Sequence, residues 1–151
     1  MKLLIKETLP NRAKKRLLYR PEEFAFDTEP SLDDGFTSLL VNEIQLEVND
    51  EGIVVSVWGL SPSSTWITSD VGAPVLPKPG SLKVLPAAEL LPGVGVRLTT
   101  ERLPAHIDPV TGWLRIGGGS AGAGRFVEVL DGAVVEIEAD GSFSSLWLRV
   151  D

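Results

Sequence analysis

The chain has 151 residues, a mass of 16.2 kDa and a formal net charge of −7, with no cysteine and a single histidine. These facts exclude disulfides, cysteine-ligated zinc, iron–sulfur clusters and a thiol nucleophile, and they argue against histidine-rich metal sites. The length suits one domain over residues 1–151 that buries a core without covalent staples, and it leaves the oligomeric state open.

Residues 1–20 form a basic segment, with seven Lys and Arg against Glu7 alone; residues 21–151 hold seven basic and twenty acidic side chains. A body this acidic repels nucleic acid and attracts basic partners. The opening MKLLIKETLP is too short in apolar residues for a signal-peptide core. No apolar run approaches the ~18 residues of a membrane span, so a cytoplasmic protein without membrane contact is expected.

In chain order, residues 2–6 (KLLIK) read as a short strand. Residues 10–20 read either as a helix capped by Asn11 or as a strand ending in Leu17-Leu18-Tyr19. Residues 21–35, rich in Pro, Asp and Glu, read as a loop pinned to the core by Phe24 and Phe26. Residues 43–48 alternate polar and apolar, and 53–58 are rich in β-branched side chains. Asn49-Asp50-Glu51-Gly52 joins them as a type I turn with a left-handed glycine, which sets Val48 opposite Val54. Continued without interruption, that register puts Leu46 on one face with Ser56, and Ile44 with Trp58.

The six prolines of 61–93 nearly exclude long helices. Short strands are expected at 64–68, 81–85 and 94–99, with one helical turn at 86–91. A hairpin is expected from 105–107 and 112–116 around Asp108-Pro109. A glycine-rich loop at 117–124 then leads to a strand at 125–130.

The strongest pattern is a repeat. Residues 40–58 and 129–147 align without a gap at an offset of 89, with Glu47/Glu136, Gly52/Gly141, Ser56/Ser145 and Trp58/Trp147 identical. Both segments read as hairpins, and uninterrupted alternation turns Trp58 and Trp147 into the core. Together these elements predict a mainly β fold, a sandwich or partly open barrel with at most one or two short helices.

Catalytic equipment is sparse. His106 has Asp108 two residues on, but no serine stands in a nucleophile elbow. Gly117, Gly119 and Gly122 fit G-x-G-x-x-G, yet a strand rather than a helix follows. Glu136 and Glu138 share one strand face at about 7 Å, a spacing that also describes a wet sheet surface. No catalytic residue, metal ligand or cofactor is therefore assigned. The leading expectation is a non-enzymatic module that binds a basic protein, in one concrete form an immunity-type inhibitor of a basic toxin or nuclease, with Glu43, Glu47, Asp50 and Glu51 as contacts. The alternatives are a carbohydrate or small-ligand binding β domain using Trp66 and Trp113, and a small hydrolase.

Overall fold

Eleven prolines and fifteen glycines cut the chain into short runs whose apolar residues recur at every second position. Such runs bury a face only as strands of a sheet. The computed structural model describes residues 1–6, 15–30, 35–75, 77–118 and 124–151. Among them, helix is confined to three-residue 3-10 turns at Pro21–Glu23, Ser63–Thr65 and Ala87–Glu89.

The strands of the first part are β1 (Lys2–Lys6), β2 (Arg16–Arg20), β3 (Ala25–Glu29), β4 (Thr37–Val41), β5 (Ile44–Val48), β6 (Val54–Leu60), β7 (Ile67–Thr68) and β8 (Lys78–Pro79). Those of the second part are β9 (Ser81–Leu85), β10 (Val96–Arg97), β11 (Ala105–Ile107), β12 (Trp113–Ile116), β13 (Arg125–Leu130), β14 (Ala133–Ile137) and β15 (Phe143–Arg149). One sheet runs β10-β4-β5-β6-β3-β2, the other β7-β11-β12-β15-β14-β13-β8, and β1 pairs with β9 in a separate ribbon. The two large sheets pack as a sandwich, and among the described residues no barrel closes. No helix among the described residues is long and apolar enough to cross a membrane.

Apart from β7, which only the seven-stranded sheet carries, the strands of the two sheets correspond. In each, a hairpin (β2-β3; β11-β12) is followed by a three-stranded meander (β4-β5-β6; β13-β14-β15) whose last strand returns beside the hairpin, giving a Greek key. Each meander's first strand also carries a short parallel neighbour, β10 on β4 and β8 on β13. The ribbon completes the correspondence by exchange. The β9 residue Val84 donates its N–H to the carbonyl of turn glycine Gly52, and the β1 residue Leu3 donates to that of Gly141.

Between the sheets, Phe26, Leu39, Ile44, Leu46 and Val57 of one face Leu114, Val135, Ile137, Leu146 and Leu148 of the other in one continuous core. The hairpin turns form as their residues dictate: Gly52 (φ +80°) and Gly141 (φ +87°) close on the carbonyls of Asn49 and Glu138 at 3.0 and 2.9 Å.

The expected faces of both hairpins are corrected by one residue. Val48 does lie opposite Val54, but Glu47 lies opposite Ser56, so Val55 is an extra residue in β6. Ser144 is the extra residue in β15, since Ile137 pairs with Phe143 and Glu136 with Ser145. A bulge of this kind turns every later side chain to the other face. Leu46 therefore faces inward with Val57, while Ser56 and Trp58 face outward with Glu47. The bulge also explains why residues 53–58 are apolar at odd and even positions alike: Val54 and Val57 both point inward from opposite sides of it.

Two further differences concern the first part. The described end of the 10–20 segment is strand β2, whose Leu17 is buried against the second half; residues 10–14 lie outside the described residues. The 21–35 segment contains β3, in which Phe26 and Thr28 point inward. Its acidic alternate residues had masked that pattern. Phe26 is 1% exposed, but Phe24 is 53% exposed at φ +55°, where it ends a 3-10 turn instead of pinning a loop.

Thr28 replaces part of the ladder to β6. Its hydroxyl donates to the Val57 carbonyl at 2.6 Å and accepts the Val57 N–H at 2.9 Å. Thr28→Val keeps the shape but orphans two buried backbone groups, so an equilibrium urea titration should show a loss of about 2 kcal/mol.

Candidate functional site

The bulges give the repeated identities a shared purpose. In β5-β6, Trp58 Nε1 donates to Glu47 Oε2 at 3.1 Å and Ser56 Oγ donates to the same oxygen at 3.3 Å. In β14-β15, Ser145 Oγ donates to Glu136 Oε1 at 2.6 Å and Trp147 Nε1 donates to Ser145 Oγ at 3.0 Å. Each sheet thus carries a Glu–Ser–Trp cluster on its outer surface, the one turned away from the core.

The second copy is closed. Trp147 is 5% exposed and forms a satellite cluster with Trp113 and Val134, against which Val71 and Phe126 pack. The Phe126 ring meets it edge-on at 6.5 Å between centroids, and the Arg115 guanidinium lies 5.9 Å from its ring. Asp108 latches the segment that carries Val71, because its carboxylate accepts the Gly72 N–H at 2.8 Å and the Thr111 hydroxyl donates to the Gly72 carbonyl at 2.6 Å.

The backbone N–H groups of Gly72, Val110 and Thr111 hold the Asp108 carboxyl below its ordinary value. A carboxylate depressed in the folded state contributes stability above its unfolded value, near 3.8, and loses that contribution as pH falls through the folded one. Acid should therefore loosen the latch. In Asp108→Asn, the fall of Tm between pH 5 and pH 2 should be shallower than in the wild type, from a lower starting value at pH 7.

The first copy is open. Trp58 is 41% exposed and stands beside a groove of about 470 Å³. Phe36, Leu40 and the indole are its apolar surfaces, and Ser38, Gln45 and Glu47 its polar ones. The difference follows from side chains at matching ladder positions. Opposite the glutamate stands Ser38 in the open copy and Phe126 in the closed one. Opposite the indole stands Gln45 in the open copy and Val134 in the closed one. Glycines keep the groove walls low, and a Cβ on Gly35 would collide with the Glu47 carboxylate.

Of the four expected contact residues, only Glu47 lines this groove. Glu43 is exposed in the β4-β5 turn and is ion-paired with Arg102, its Oε2 accepting from Nη1 at 2.6 Å. Asp50 and Glu51 are exposed at the other end of β5, in the β5-β6 turn. The basic start of the chain is partly engaged by the acidic body: Lys2 pairs with Asp140 at 3.8 Å, and Lys15 donates to the Val55 carbonyl at 2.6 Å.

The other candidates do not assemble. His106 sits on β11 between Ile67 and Arg115, and Asp108 is spent on backbone groups. Trp66 is half-buried, tilted against Tyr19 at 5.1 Å and stacked on Phe26 at 6.4 Å, and Trp113 is buried beneath the Arg149 guanidinium at 4.7 Å, so the two do not form an exposed aromatic platform. Glu136 is buried, and most of the glycine-rich loop (119–123) lies outside the described residues. Among the described residues no three His, Asp or Glu side chains converge as metal ligands would.

Both repeat tryptophans were expected between the sheets; Trp147 is buried instead in a satellite cluster on the outer surface, Trp58 is exposed, and the signal for this was present. Three of the four identities of the repeat, Glu, Ser and Trp, can hydrogen-bond with one another once they share a face. No family model matches this chain, and no curated protein matches it.

Proposed function

We propose that this protein is a non-enzymatic binding module that docks a basic protein on the outer surface of its first sheet, with Trp58 and Glu47 at the centre of the contact. The carrying observation is the asymmetry of the two clusters. The same Glu–Ser–Trp arrangement is covered by the protein's own Val71 and Phe126 in one sheet and left with a 41% exposed indole in the other. An indole next to a groove and a carboxylate is the kind of anchor on which interfaces concentrate their binding energy. The chain's net charge of −7 favours rapid, oriented encounter with a basic partner. An inhibitor that covers a cationic toxin or nuclease is the concrete form that this reading takes.

The test compares wild type with Trp58→Ala as affinity baits at low and high salt. Support is a basic protein held by the wild type, released by salt, lost with Trp58→Ala, and bound again after purification. Identical retention by both baits would overturn the reading.

A further inference from the structure

We infer that the group the Trp58 face takes from its partner is an arginine side chain, seated over the indole, with the Glu47-lined groove on its β5 side and Asp27 on its β3 side. The inference rests on the protein-binding reading above and adds the chemistry of the contact.

The closed half of the molecule displays the arrangement already. Both of its buried indoles lie under guanidinium groups, with Arg115 at 5.9 Å from Trp147 and Arg149 at 4.7 Å from Trp113. Arg115 is the cross-strand neighbour of Trp147, on β12. The matching strand in the open half is β3. There Phe26 pairs with Gly59, and the Thr28 hydroxyl holds both backbone groups of Val57. Asp27 therefore falls opposite Trp58. Because Phe26 and Thr28 are buried, Asp27 shares the outer surface with the indole. Where the closed copy supplies its own cation, the open copy presents an acid.

A second acid stands across the ring. Glu47 takes the indole N–H on its Oε2 and so fixes the ring's orientation from the β5 side. On the β3 side, Arg20 lies 3.7 Å from Asp27, but it also meets Glu29 at 2.9 Å and Glu23 at 3.9 Å. Arg16 stands opposite Glu29 on the same surface, so two guanidinium groups face three carboxylates and that flank keeps a net negative charge. An aromatic face between two carboxylates attracts a cation, and the planar, weakly hydrated guanidinium is the side chain that can stack on an indole and bond acids at its edge together. A lysine ammonium, more strongly hydrated and without a plane, fits less well.

The full chain, with its indoles labelled with nitrogen-15, would be titrated with acetyl-Val-Arg-Val-amide. The same peptide carrying citrulline or lysine, and methyl glucoside, serve as comparison probes. Trp58→Phe identifies the resonance. The expected result is a saturable shift of the Trp58 indole alone, lost with citrulline and about fivefold weaker with lysine. Glu47→Gln and Asp27→Asn should each weaken the response about fivefold. Asp27→Arg, which places a guanidinium in cis, should abolish it and lower the accessibility of Trp58 to acrylamide. No response to the arginine peptide, an equal response to citrulline or to the glucoside, or a shift at the other indoles would each overturn the inference. If a purified basic partner is still held in a Trp58-dependent way while arginine is ignored, this inference falls and the binding module stands. If that dependence is lost too, both fall.

Discussion

Trp147→Ala should destabilise the protein by about 4 kcal/mol, whereas Trp58→Ala should cost about 1 kcal/mol or less, although the two tryptophans are equivalent in the repeat. Trp147 is 5% exposed, touches Trp113 and Val134, and is capped by Val71 from a distant segment. Removing its indole leaves a cavity on the outer surface of the second sheet and detaches that cap. Trp58 is 41% exposed, and its removal gives up a fraction of an indole's burial and one hydrogen bond to Glu47. By thermal unfolding, the first variant should lose roughly 8–16 °C, as expected for a chain of this size. Equal losses would contradict the bulged register, because uninterrupted hairpins would bury both indoles between the sheets.

Gly59→Ala should be nearly as damaging, at about 3 kcal/mol. Gly59 has φ +140°, a conformation that L side chains rarely adopt, and a Cβ there would strike the Glu43 carbonyl and come within 2.9 Å of the Ile44 Cα. Both obstacles are backbone, so no rotamer change relieves them. The pairing shows why the position tolerates nothing larger. Ile44 faces Gly59 in the first sheet, whereas Ala133 faces Leu148 in the second. Large and small residues have changed places across the same ladder step. A urea titration of Gly59→Ala measures the cost. Because the β6 backbone must shift, the variant should also weaken binding at the neighbouring Trp58.

The fold class was legible because strand-period alternation and turn chemistry are local. Residues 44–48, 81–85, 105–107 and 125–130 declare themselves by composition, and Gly52 and Gly141 by turn type. The β3 strand was not legible, since Asp27 and Glu29 on its wet side, between Pro21 and Pro30, give it the composition of a loop. The bulges were invisible for a different reason. Val55 and Ser144 are ordinary strand residues, and their carbonyls are met by distant parts of the chain, Lys15 donating to that of Val55 and Gly117 lying close to that of Ser144. One unseen bulge sufficed to turn Trp58 from groove to core in the sequence reading. Glu47 was singled out through its charge, whereas its hydrogen bond to the Trp58 indole depended on register.

The exchanged ribbon makes the two halves mutually indebted. Leu3 satisfies the carbonyl of Gly141, and Val84 that of Gly52, so each half carries the strand that finishes its counterpart. Severed from one another, each half would lack the strand that satisfies its turn glycine. A second copy of the same half would be the nearest source of the missing piece, so the separated halves should recombine as swapped pairs instead of folding as independent units.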